Sequence, residues 1–357
     1  MSKTKKFILT CIVLIVSGLF LCGFGYLLGG RFMGIGVGSN GIDVYSFNEK
    51  NTEYHYKEKE QSLENFNNMD VNIAYADLSI VVSDHYGIAY KVLEDSPFSC
   101  DIENGTLKVS QSYRNASSEA SFNLFYFGTS GTDYSAIETQ YVTIYVPAGA
   151  RFDSIVIHNE SGKTSVEDLK AGSLSLQNNY GSASLRGIST PELSVNLESG
   201  ALTLEDIQTD SLTVKDNYGD VKCRNLKVSN TSDFILESGD LILLDTVLPQ
   251  LTVNCSYGAF DADNATLENA SIKLESGRCD IRRSGFDSLT IDSSYGDVNL
   301  NVLSEITDYA YELSTDYGDI SIGSHDVGTK YSNFTESHDK EIKINCESGD
   351  ITIKQNK

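Results

Sequence analysis

From about residue 155 onward, apolar side chains recur at every second position in short runs, and a glycine separates each run from the next. Leu193, Val195 and Leu197 stand seven, five and three residues before Gly200, and Leu202, Leu204 and Ile207 stand two, four and seven after it. The same offsets give Leu212, Val214, Val221, Cys223 and Leu226 around Gly219, and Leu289, Ile291, Val298 and Leu300 around Gly296. Period-two alternation marks a strand with one buried face. Each unit therefore reads as strand, turn at glycine, strand, turn.

The marking glycines are Gly162, Gly181, Gly200, Gly219, Gly239, Gly258, Gly277, Gly296, Gly318 and Gly349, spaced by 19, 19, 19, 20, 19, 19, 19, 22 and 31 residues. A unit of that length holding two short strands cannot bury its own apolar face. Stacking ten units at about 4.8 Å gives a continuous core roughly 45 to 50 Å long. The pattern predicts an all-β, single-stranded β-solenoid (β-helix) of about 19-residue repeats, with glycine at corners that a β-carbon would obstruct.

The corners come in two forms. Glu-Ser-Gly stands at 160–162, 198–200, 237–239, 275–277 and 347–349, and Tyr-Gly at 180–181, 218–219, 257–258, 295–296 and 317–318. Glutamate at every corner would make a self-repelling ladder; Asn179, Asn217, Ser256, Ser294 and Asp316 between them roughly double the separation. A 38-residue turn with tyrosine and glutamate corners on opposite sides is the alternative, and it stacks the glutamates directly. The 19-residue turn is preferred for that reason.

Upstream, Asn68 to Val82 shows the same alternation, with Tyr75-Ala76-Asp77 as a degenerate corner. Thr106 to Val109 and Gln140 to Val146 read as further strands, joined by a long Ser-, Asn- and Gly-rich loop. The organisation expected is a stub at 1–6, an apolar anchor at 7–30, a polar linker at 31–67 and a repeat domain at 68–353. Within that domain, regular repeats occupy 155–322, an insertion about 323–340 and a last repeat 341–353.

Phe7 to Gly30 has 24 residues without a charge, about 36 Å as a helix against a bilayer core of about 30 Å. Lys3, Lys5 and Lys6 precede it, which places the N-terminus in the cytoplasm and the rest outside. A cleaved signal peptide is the rival reading, disfavoured by the long apolar run and the lack of a small-x-small cleavage site. Lipidation at Cys22 fits poorly after Leu21. Of 357 residues, 27 are basic and 50 acidic; all the acids follow residue 42, so the remainder carries 23 basic against 50 acidic residues, −27. That balance argues against nucleic acid as a partner.

Taken together, the passage VTIYVPAGARFDSIVIHNESGKTSVEDLKAGSLSLQNNYGSASLRGI resembles the "putative adhesin" family of domains of unknown function, DUF4097, over about residues 68 to 353. In that family a strand ending in proline introduces glycine-cornered repeats. The resemblance implies a right-handed β-helix and membrane anchoring at cell-surface or envelope-stress loci, and it brings no catalytic residues.

Tyr180, Tyr218, Tyr257, Tyr295 and Tyr317 form the candidate interaction strip; the plainer reading is that these rings shield the turns and touch one another. Asp220, Asp240, Asp297, Asp319 and Asp350 follow corner glycines, but their spacing differs from calcium-binding repeats and they read as turn acids. Five cysteines outside the anchor (Cys100, Cys223, Cys255, Cys279 and Cys346) lack the spacing of a disulfide framework or zinc site and read as buried apolar side chains. His55, His85, His158, His325 and His338 are scattered. No catalytic, cofactor-binding or metal residue is expected. The function expected is a noncatalytic, membrane-anchored cell-surface protein, with a cell-wall polymer, surface ligand or envelope signalling protein as candidate partner. The alternatives are an envelope-stress sensing or regulatory accessory protein, and a polysaccharide-acting β-helix enzyme.

Overall fold

A computed structural model describes residues 54–112, 138–334 and 338–356, together with the backbone of 33–38 and 41–46. The anchor expected at 7–30 and most of the loop between 110 and 136 lie outside the described residues. Among the described residues, no helix is long and apolar enough to cross a membrane. The chain divides into two units. In the first, Met33–Gly38 and Gly41–Ser46 pair as an antiparallel hairpin.

The second unit is an all-β stack of parallel turns. Each regular turn has a long strand, such as Arg151–Ser161, then the glycine corner, then a short strand, such as Thr164–Glu167. Long segments pair with long and short with short, at an offset of 19 residues (Ile155 lies beside Leu174, and Val166 beside Leu185), and Cys279–Tyr295 runs a short and a long segment together in one strand. The 19-residue turn is thus the geometry adopted. One turn is a residue longer, and the pairing slips between Thr209 and Ser211 to absorb it.

Side chains at the alternating offsets point inward. Leu193, Val195, Leu197, Leu202, Leu204 and Ile207 are each no more than 1% exposed, and the apolar positions of all turns join one continuous core. Fully burying a Leu, Ile or Val contributes about 1.5 to 3 kcal/mol, and the parallel register sets such residues beside their equivalents in neighbouring turns. Aromatic clusters close both ends of this aliphatic column: Phe66 packs on Tyr86 (4.8 Å) and Phe152 (5.9 Å), and Phe286 on Tyr309 (5.4 Å).

The turns do not stack in chain order at either end. The last turn, Lys340–Ser348 with Ile351–Gln355, lies between the Gly296 and Gly318 turns, paired to both. At the other end, Asn68–Ile73 and Asp77–Ser83 form a turn cornered at Ala76. It lies between the Gly162 turn and a later segment of the chain, Thr106–Gln111 with Tyr141–Pro147. The stacking order thus departs from chain order: both terminal turns sit one place in from the edge. The alternation of corners explains the C-terminal case. In chain order two Tyr-Gly corners, at 296 and 318, would meet; inserting the Glu-Ser-Gly corner at 349 restores strict alternation.

Antiparallel strands cover the outermost turns, as an open sheet edge requires. Tyr56–Ser62 pairs with Gly87–Leu93, which pairs with Tyr141–Pro147, and Phe98–Glu103 pairs with Thr106–Gln111. At the far end His325–Gly328 and Lys330–Ser332 play the same part. The linker expected at 31–67 is corrected on this point, since it contains the strand Tyr56–Ser62 as well as the hairpin in 33–46. Its run KEKEQ carries no apolar alternation because it is an edge strand, where charge discourages pairing with another chain.

Candidate functional site

The glycine corners are held by contact as much as by dihedral angle. A β-carbon on any of the ten marking glycines would lie under 3.0 Å from the carbonyl oxygen of the corner beneath it. Gly219 and Gly318 lack a positive φ but meet the same obstruction. Ala76 begins the column, and Gly162 rests on its carbonyl. Below Ala76 the corner is replaced by two buried glutamines: Gln111 Oε1 accepts from the backbone N–H groups of Tyr75 and Ala76, and Gln111 Nε2 donates to Gln140 Oε1 at 3.0 Å.

Immediately before the corner residue, tyrosine and serine alternate through the stack: Tyr75, Ser161, Tyr180, Ser199, Tyr218, Ser238, Tyr257, Ser276, Tyr295, Ser348, Tyr317. The five expected strip tyrosines are exposed, Tyr180 at 59%, Tyr218 at 55%, Tyr257 at 61%, Tyr295 at 62% and Tyr317 at 79%, and Tyr75 extends the row at 37%. With one turn between successive rings, they stand about 9.6 Å apart at a strand spacing of about 4.8 Å. No ring contact joins these five tyrosines to one another, so the ring-to-ring half of the plainer reading does not hold. They make an evenly stepped row on one rib of the solenoid.

The rib is acidic, and several of its carboxylates bond across turns. Asn179 donates to Glu160 (2.6 Å) and Asn217 to Glu198 (2.8 Å), each across one turn. The aspartates after the corner accept from backbone N–H groups of the adjacent turn: Asp220 from Asp240, Asp240 from Ala259, Asp297 from Asp350 and Asp350 from Asp319, at 2.8 to 2.9 Å. Such charge-assisted bonds brace the corner. Among the described residues no group of three His, Cys, Asp or Glu is placed to hold a metal ion.

Three residues before the corner, a buried column behaves differently in the two turn types. Glu-Ser-Gly turns mostly place leucine there (Leu197, Leu236, Leu274). Tyr-Gly turns place Asn178, Asp216, Cys255, Ser293 and Thr315, all buried. Asn178 Nδ2 donates to the Gly181 carbonyl (2.5 Å), Cys255 Sγ to those of Gly239 and Gly258 (both 3.7 Å), and Thr315 Oγ1 to that of Gly349 (2.9 Å). Asp216 is 0% exposed, and its carboxyl oxygens make no well-formed hydrogen bond, the Tyr218 backbone N–H giving only a weak interaction. Burial pushes its pKa up to about 7; the nearby Asp220 charge adds to the rise, and the Tyr218 backbone N–H opposes it only in part.

A second corner column escaped the sequence reading. Six residues after each of seven marking glycines stand Asp168, Gly187, Asp206, Asn225, Asp245, Asn264 and Arg283, all in the left-handed region with φ between 49° and 66°. Asp, Asn and Gly tolerate that region best. Asn225 donates to Asp206 (2.5 Å), Asn264 to Asp245 (2.7 Å), and Arg283 makes a bidentate pair with Asp263 (2.6 and 2.7 Å).

Of the five cysteines, Cys223, Cys255, Cys279 and Cys346 are buried and Cys100 is half-buried; all five are free thiols. Burial raises the thiol pKa of each, to about 11 for Cys100 and Cys255, which leaves them unreactive near neutrality. The histidines are not brought together: His85 contacts Asp84 (2.6 Å), while His158 lies 3.4 Å from Glu160.

A stack of parallel 19-residue turns with a glycine spine and an aromatic rib defines a β-solenoid repeat protein. The chain belongs to the Toastrack DUF4097 family, which matches residues 66–354. No curated protein matches it. Among solved structures it is similar to a "putative lipid binding protein" from Parabacteroides distasonis, at 10% identity and a TM-score of 0.37, over 84% of this chain and 97% of that one. A "putative adhesin" from Bacteroides fragilis matches at 10% identity and a TM-score of 0.34, over 62% and 97%, and a "putative cell adhesion protein" from Clostridium sporogenes at 10% and 0.21, over 85% and 100%.

Proposed function

We propose that the chain is a noncatalytic, extracytoplasmic interaction module. It is anchored in the cell membrane by residues 7–30 with its N-terminus in the cytoplasm, and it engages partners through the tyrosine rib. The observation that carries the reading is the row of exposed tyrosines, kept at an even two-turn step even where the chain order would break it. Six carboxylates beside the row, Glu160, Glu198, Asp220, Asp240, Asp297 and Asp350, bond to neighbouring turns, which supports a surface for recognition over a pair of catalytic acids.

Two measurements test it. Protease added to intact cells should remove the solenoid while sparing the membrane fragment; complete protection would overturn the topology. Pull-down from envelope extracts should recover material that is lost when Tyr218 and Tyr257 are replaced by serine, the residue already used at alternate corners. Equal recovery by the variant would overturn the role of the rib.

A further inference from the structure

The spacing of the rings selects among extended partners. From Tyr75 to Tyr317 the row spans ten turn steps, about 48 Å at about 4.8 Å each, with a ring every ~9.6 Å. A polyproline II helix presents the same face every three residues, about 9.3 Å, and slips only ~1.5 Å over the five intervals. An α-helix returns to one face after seven residues, about 10.5 Å, and slips ~4.5 Å. A β-strand repeats its face every ~6.7 Å and falls out of step at once.

Charge narrows the choice further. The rib carries glutamates at 160, 198, 237, 275 and 347 and aspartates beside many of its glycines, against Lys163 and Arg278 at the corresponding corner positions. Arg278 is already engaged by Asp261 (2.8 Å) and Asp280 (2.9 Å). A cationic ligand is drawn to such a surface and an anionic one repelled. Exposed tyrosine suits it doubly, because proline rings pack on aromatic faces and lysine or arginine is attracted to them.

We propose that the tyrosine rib binds a proline-rich segment in polyproline II form bearing lysine or arginine once per turn. The proposal rests on the rib being the interaction surface and adds the chemistry of its partner. Successive turns of the ligand seat on successive tyrosines, and the charged side chains lie toward the glutamates and aspartates that flank them. Because the sites repeat, affinity grows with ligand length rather than residing in a single pocket.

The test uses the full chain and synthetic peptides with lysine at every third position among prolines, in lengths from about 6 to about 15 residues, the longest spanning ~46 Å. Titration calorimetry or fluorescence anisotropy should show affinity rising with length, weakening with salt, and falling about tenfold or more for Tyr218→Ser/Tyr257→Ser. Circular dichroism of the variant should match that of the wild type. A peptide of the same composition without the three-residue period should bind markedly less. Equal binding of the aperiodic peptide, or no loss in the tyrosine variant, overturns the proposal. If β-1,4-linked oligosaccharides bind in a tyrosine-dependent way and the peptides do not, the partner chemistry is wrong while the rib stands as the interaction surface. If neither binds and the variant also recovers the same envelope material, both readings fail.

Discussion

Asp216 offers the sharpest test of the physical reasoning. It occupies a column whose members in the other Tyr-Gly turns are neutral, and three of them, Asn178, Cys255 and Thr315, donate to corner carbonyls. A protonated Asp216 can do the same for a glycine carbonyl at its own corner, whereas an ionised one is buried with only the weak Tyr218 N–H interaction to offset its charge. Its pKa rises from 3.8 to about 7 on folding. The folded-state pKa lies above the unfolded one, so the contribution to stability is fully present below pH 4. It is lost as the pH rises to about 7, after which it is flat. At 1.36 kcal/mol per unit the loss amounts to ~4 kcal/mol. Asp216→Asn removes the titration and keeps a donor. Urea unfolding of both proteins from pH 4 to pH 8 should give nearly equal stability at pH 4 and a variant more stable by ~3 to 4 kcal/mol at pH 8. Subtracting the two curves cancels the other carboxylates. A difference that does not change with pH, or a variant less stable at pH 8, would refute the account of this column.

Gly239→Ala should destabilise the protein by ~2 to 4 kcal/mol, since its φ is 132° and its β-carbon would meet the Gly219 carbonyl. Gly285→Ala, where no atom lies within 4 Å of the new β-carbon, should be neutral or slightly stabilising; urea midpoints compare the two. Ser232 is 0% exposed with an unpartnered hydroxyl, so Ser232→Ala should raise stability by ~1 kcal/mol, again read from the urea midpoint. Removing residues 338–357 should leave the Gly296 and Gly318 turns facing each other without a partner. The result should be aggregation on size-exclusion chromatography and rapid proteolysis within 309–334; a soluble monomer with that segment still protected would contradict the stacking order.

The core of this fold was legible because period two and period 19 coincide: the inward positions around Gly200 are the same ones that alternation marks. The spine of glycines was legible too, although its cause is the neighbouring turn's carbonyl as much as the dihedral angle. What escaped was of two kinds. The second corner column was in plain view, six residues past each glycine, but Asp, Asn, Gly and Arg share no single residue type, and the left-handed backbone that unites them is not a composition signal. The order of turns at the C-terminal end is a pairing decision made across 53 residues, from Ser288 to Glu341. Only the broken alternation between Gly296 and Gly318 pointed to it. The tyrosine row was found as residues, yet its even step depends on that same pairing. Asp216 could have been noticed as an acid at an inward offset, where its equivalents are Leu197 and Leu236.

The placement of the two terminal turns bears on how the molecule would take a load. A C-terminal strand at the rim of a sheet can be peeled away one bond after another. Here the final strands are hydrogen-bonded on both flanks, so tension applied at the C-terminus must break two ladders at once and reopen the stack before anything comes free. The same arrangement fixes the number of rungs. With the final strands already enclosed between two turns, a further turn cannot simply be added after the last one, and the single 20-residue turn near Gly239 shows where the stack takes up an extra residue instead.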